Sequence, residues 1–162
     1  MAKLERKAYM QFASFDGTSW EVLGVDNDDL SKELNPDTET SKNVLGETTF
    51  KHNGYEPEVS VDPYYADSDS VLYEDLSAIA LEEKFDDTSI KGFYVDGILT
   101  TSSNGVVTGT GKKREAYIVP QSIGGDTAGL GIPFNVNPIG PMTNVTISYT
   151  IATRAVTITV TT

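Results

Sequence analysis

The strongest constraint on the fold of this chain is the two-residue period at its C-terminal end. Val145, Ile147, Tyr149 and Ile151 alternate with Thr146, Ser148 and Thr150. After a short break, Val156, Ile158 and Val160 alternate with Thr157 and Thr159. Successive side chains of a strand point to opposite faces. Residues 144–151 and 155–160 therefore predict an antiparallel hairpin with one apolar face and one hydroxyl face. The same period returns at 55–62, with Tyr55, Pro57, Val59 and Val61 on one side and Glu56, Glu58, Ser60 and Asp62 on the other. Pro57 lacks a ladder donor and marks an edge or a bulge. Further strands are expected within 19–25, 28–34, 90–95, 105–110, 114–119 and 132–137, with 3–12 as an arm or first strand.

One stretch has the helical period instead. Within 70–84, Leu72, Leu76 and Ile79 fall at i, i+4 and i+7, with Ala80 beside them. Ser70 is the expected N-cap, Glu74 and Asp75 suit the N-terminal end, and Lys84 suits the C-terminal end. Many strands and one helix around one core predict a mainly β fold, a β-sandwich or half-barrel with one flanking α-helix. The 162 residues fit a single domain, 1–162. Its one long interruption is 36–48, polar and bounded by Asn35-Pro36-Asp37 and Gly46, which predicts an exposed loop. With little apolar content beyond Val44 and Leu45, it should be mobile in the monomer and ordered against a neighbour. The glycine-rich segment 117–134 carries Ile118, Ile123, Leu130, Ile132 and Phe134, so it should dock on its own core or on a partner.

Charge and residue inventory exclude much chemistry. The net charge is −12, unevenly spread: residues 1–99 hold 22 acidic and 8 basic side chains, while 100–162 hold 2 acidic and 4 basic. The halves thus carry −14 and +2, an asymmetry that either attracts copies head to tail or is a solvated acidic face kept for solubility, the reading that charge alone favours. So acidic a chain is a poor binder of phosphate backbones. There is no Cys and only His52, which rules out disulfides, thiolate sites and multi-His zinc sites. His52 reads as an exposed loop histidine. The carboxylate pairs Asp28-Asp29, Glu82-Glu83 and Asp86-Asp87 are sequence neighbours, which strands turn to opposite faces, so no glycosidase pair is expected. Asp26-x-Asp28-Asp29 lacks the glycine and bidentate glutamate of a calcium loop. Gly124-Gly125 and Gly129-Leu130-Gly131 lack a phosphate-loop context. The chain is expected to be no enzyme and to hold no cofactor or metal. No apolar run reaches the roughly 20 residues of a membrane span. Lys112-Lys113-Arg114 follows Gly109-Thr110-Gly111, a weak signal for nucleic acid, and reads as a hairpin tip kept soluble or as an intersubunit contact with an acidic neighbour. A carbohydrate-binding sandwich would need an aromatic platform, for which only Trp20 and Tyr64-Tyr65 are available; the tyrosines should split between two faces.

Three stretches in combination resemble the major tail tube protein of long-tailed bacteriophages of Gram-positive bacteria. They are Glu33-Leu34-Asn35-Pro36-Asp37-Thr38-Glu39 with Val44-Leu45-Gly46-Glu47, then GYEPEVSVDPYYADSDSVLYE at 54–74, then 117–134. The resemblance implies a virion protein that forms six-fold rings, their inner strands joined in one β-barrel, stacked into a conduit for DNA ejection. It implies assembly in the host cytoplasm, a tape measure protein and a tail terminator as partners, and DNA that passes without specific binding. The long loop would stack rings through Asp37, Glu39, Val44 and Leu45. Tubes of contractile tails and tail-like bacteriocins share the fold, and a terminator or decoration protein is the other structural alternative.

Overall fold

A computed structural model describes residues 3–68 and 70–161. The fold is mainly β, with 55% strand and 11% helix. A 3-10 turn at Arg6–Ala8 leads into β1 (Tyr9–Ser14), β2 (Glu21–Val22), β3 (Lys32–Glu33), β4 (Pro36–Lys42), β5 (Thr48–Tyr55) and β6 (Glu58–Val61). Two helices follow, α1 (Tyr73–Glu82) and the single turn α2 (Asp87–Ile90). The chain then makes three long strands, β7 (Lys91–Ser103), β8 (Val106–Pro120) and β11 (Phe134–Thr150). Between the last two lies a small hairpin, β9 (Gly124–Asp126) and β10 (Gly129–Gly131), and β12 (Ala155–Val160) ends the fold.

Eight strands form one antiparallel sheet in the order β2-β1-β7-β8-β11-β6-β3, with β12 also paired to β11. The 17-residue β11 serves two neighbours along its outer edge. Phe134–Val136 pair with β6, and Val145–Thr150 pair with β12. Between them the register slips at Ile139/Thr143, and Pro138 and Pro141 occupy the stretch with no outer partner. Such an irregularity bends a strand and raises its twist. The sheet accordingly coils until β12 reaches β2, without a ladder closing it into a barrel.

The coil buries two cores, one on each face. Alternation along β1 and β7 sends Ala13 and Tyr94 to one side, and Phe12 and Val95 to the other. The first core gathers Val59, Val61, Ile118, Phe134 and Val136 from the sheet with Leu72 and Leu76 from the α1 segment. The second lies inside the coil, where Phe12, Val95, Leu99, Val145 and Ile147 pack together. Ile147 sits against the backbone, because Gly97 and Gly111 leave it room: a Cβ at Gly97 would lie 2.6 Å from Ile147 Cδ1, and one at Gly111 2.8 Å.

The C-terminal hairpin forms as expected, and its register sets Val145 opposite Val160 and Ile147 opposite Ile158. The helix starts later than expected. Its N-cap is Leu72, not Ser70, whose hydroxyl instead accepts from the Asp67 N–H at 3.3 Å. A second helical turn, capped by the Asp86 carboxylate accepting from the Ser89 N–H, adds to the one foreseen. The segment 36–48 is exposed throughout but is not an irregular loop, because 36–42 is strand β4 of a hairpin. Lys112-Lys113-Arg114 does not form a hairpin tip; the run lies inside β8, and the β7–β8 turn is at Asn104-Gly105. Of the 117–134 segment, Ile118, Ile132 and Phe134 are fully buried in the chain's own core, while Ile123 and Leu130 are exposed.

Gly97→Ala is expected to destabilise the fold by about 1–3 kcal/mol, as overpacking does. Ile147→Val alone should cost about 0.5–1.5 kcal/mol. Because Val lacks the clashing Cδ1, denaturant unfolding of the double variant should give a loss smaller than the sum of the two. Strict additivity would mean that Gly97 does not make room for Ile147.

Candidate assembly surfaces

The β4–β5 hairpin grows out of the β3–β6 pair. Lys32 and Glu33 face Val59 and Glu58, and beyond the bend at Asn35 the ladder resumes with Pro36 opposite Tyr55. Its tip is built by local chemistry. The Asn43 N–H donates to the Glu47 carbonyl at 3.0 Å, and Asn43 Oδ1 accepts from the N–H groups of Leu45 and Glu47 at 2.9 and 3.0 Å. Gly46 takes φ +82°, the left-handed position that closes a three-residue hairpin loop. This leaves Val44 and Leu45 at the apex, 101% and 78% exposed. Every residue of β4 is exposed, and on β5 so are Phe50 and Tyr55.

The four residues expected to contact a neighbouring ring therefore share one hairpin but not one point on it. Val44 and Leu45 are together at the apex. Glu39 sits on the shaft opposite Lys51, and Asp37 is at the base beside the β-bulge, opposite Gly54. At about 3.3 Å per residue, Asp37 is too far from the apex to share its contact. His52 is exposed as expected, but on a strand; its Nδ1 accepts from the Gly54 N–H at 3.0 Å, and its ring lies 4.6 Å from that of Tyr55.

Strand alternation also divides the basic run. Lys112 and Arg114 project from one face of β8 and Lys113 from the other. Lys113 Nζ lies 5.0 Å from the Phe93 ring and 5.7 Å from that of Trp20. Arg114 Nε donates to the Ile139 carbonyl at 3.2 Å. Lys112 is exposed and donates to Asn144 Oδ1. The run is thus no three-cation patch, and only Lys112 presents its charge openly.

A surface that the sequence reading did not single out lies around Lys112. On the outer face of the coil, Thr110, Thr146 and Thr159 stand side by side on three strands, and Thr108, Ser148 and Thr157 form the next row. Neither row carries a charge. The apolar partners of these residues in the alternation, Val145 and Ile147, are buried behind them. The signal was present in the Thr-rich alternation; what it lacked was the pairing of β8 with β11.

The third feature is a cleft of about 760 Å³ between the 20–27 segment, the 64–71 segment and the β11–β12 turn. Glu21 lines its floor. Tyr64 and Tyr65 split as expected: the buried Tyr64 donates its hydroxyl to Glu21 Oε2 at 2.7 Å, whereas the Tyr65 hydroxyl donates to Asp126 at 3.1 Å. Burial raises the Glu21 pKa, opposed by hydrogen bonding first from Tyr64 and then from the Ser70 hydroxyl and the backbone of Leu72 and Val71. Among the described residues, no group of three or more His, Cys, Asp or Glu side chains could hold a metal ion, and no helix is long and apolar enough to cross a membrane.

An acid whose pKa is higher in the folded than in the unfolded chain weakens the fold above its unfolded pKa. That penalty fades as pH falls through the folded pKa. Glu21→Gln should therefore raise the melting temperature at about pH 8, and the gain should shrink towards about pH 4, near the ordinary range of the side chain. A gain independent of pH, or a loss at about pH 8, would show that the buried charge is not the cause. No protein-family model matches this chain, and no curated protein matches it significantly.

Proposed function

We propose that this protein is a structural subunit that assembles with its own copies into stacked hexameric rings, the tail tube of a long-tailed bacteriophage. One observation carries the reading: a hairpin that projects from the sheet with two exposed aliphatic side chains at its apex. Val44 and Leu45 contribute nothing to the chain's own core. Exposing such side chains at the most accessible point of a protein makes physical sense where something covers them.

The sheet is consistent with this role. It coils but stays open, and among the described residues β2, β3 and β12 each pair with one neighbour in the sheet only. In a ring, neighbouring copies would cover such edges. The hydroxyl face would then turn to the bore. This face offers six hydroxyl residues and the exposed cation Lys112, with the half-buried Arg114 and the ion-paired Asp96 beyond them. A wall of hydroxyls without an array of cations lets a phosphate backbone slide, because bound counterions are not displaced. The carboxylates, concentrated in residues 1–99, keep the surface soluble. The tape measure protein, the terminator and the passing DNA are the partners that this reading entails.

A two-stranded hairpin is marginally stable by itself. The amides of β4 and β5 should exchange with solvent rapidly in the monomer and slow by at least about tenfold on assembly, as ordering against a neighbour requires. The variant Val44→Asp with Leu45→Asp should keep the monomer's circular dichroism and melting temperature while abolishing assembly. Normal assembly by that variant, or strong protection of the hairpin in the monomer, would remove the hairpin from the contact.

A further inference from the structure

Resting on the self-assembly reading, we propose that the apex of the β4–β5 hairpin of one copy seats in the cleft between the 20–27 segment and the β11–β12 turn of the next. The cleft has the size and chemistry for it. Its rim carries three exposed aliphatic side chains, Val25 at 50%, Val71 at 41% and Ile151 at 56%. Asp26 lines one wall and Arg154 the other. The apex presents the matching pattern in convex form, Val44 and Leu45 flanked by Lys42 and Glu47. Lys42 can meet Asp26 while Glu47 meets Arg154, so both charges on the hairpin find an opposite partner as the aliphatic groups leave water.

Donor and acceptor are different surfaces of the chain, built from different segments. The hairpin extends from β3 at one end of the strand order, and the cleft is walled by the segment of β2 at the other. A contact between two different surfaces of identical chains is heterologous, so it propagates from copy to copy instead of stopping at a pair. That is the kind of contact a tube needs.

The chain contains no cysteine, which allows a direct test. Leu45→Cys and Val71→Cys are made in separate chains, both at exposed positions. Mixed and treated with a short bis-maleimide under assembly conditions, they should give a covalent pair containing one copy of each variant. A single chain carrying both changes should give a ladder of covalent oligomers. Leu45→Cys mixed with Phe85→Cys, 89% exposed at the far end of the α1 segment, sets the background. In a second arm, Arg154→Glu should impair assembly, and adding Glu47→Arg should restore it. If the wild type assembles but the Leu45–Val71 pair links no better than the Phe85 control, the apex seats elsewhere and this inference falls while the proposed function stands. If the wild type stays monomeric and unlinked, both fall. Cross-linking above background with rescue by the charge swap supports the cleft as the receptor.

Discussion

The seating of Ile147 on a glycine floor is the contact on which the rest of the structure depends. Gly97 and Gly111 face each other across β7 and β8, and Gly109 stands opposite Ile147 itself. Without side chains there, Ile147 packs onto backbone, and β7, β8 and β11 can coil tightly around Phe12, Val95 and Val145. Burying such side chains contributes about 1.5–3 kcal/mol each. Because a strand alternates, the same packing forces Thr146 and Ser148 outward. The apolar interior of the coil and the hydroxyl wall on its exterior are therefore one consequence of one pattern.

What was legible in the sequence was what one-sided burial encodes. Val145 with Ile147, Val59 with Val61, and the Leu72, Leu76, Ile79 stripe all announce which side chains go inside, and these are buried as expected; Tyr149, Val156 and Ile158 are half-buried, whereas Ile151 and Val160, on the same predicted face, are exposed. The β4–β5 hairpin had no such signal, since water lies on both its faces and its polar residues show no apolar period. Its code is local: Asn43 and Gly46 at the two ends of a turn, with β-branched Thr38, Thr40, Thr48 and Thr49 on either side. The basic run was misplaced for a related reason. Gly109 and Gly111 resemble turn punctuation but serve close packing, and Lys113 holds its charge over the Phe93 ring. Likewise Pro138 and Pro141 suggest a break where β11 runs on through a bulge.

The functional surfaces divide between parts of the fold with different stability. The sheet carries both buried cores, whereas the hairpin contributes no residue to either and is held by its own ladder and local side-chain hydrogen bonds. Such an element can remain pliable until a partner orders it, which lets assembly be reversible at low concentration and cooperative at high. The cleft is the reverse case, a concavity on the rigid body whose floor contains the buried Glu21 carboxylate. In the proposed assembly, joining the hairpin to the cleft would add copies without disturbing either core.

The central claim is that the chain builds a tube from itself alone. Electron microscopy of the purified wild-type protein, at high concentration and raised salt that screens repulsion between acidic subunits, tests this most directly. The account expects six-fold rings and hollow tubes of uniform width and variable length. A field of monomers under all these conditions, with light scattering that does not rise with concentration, would contradict it.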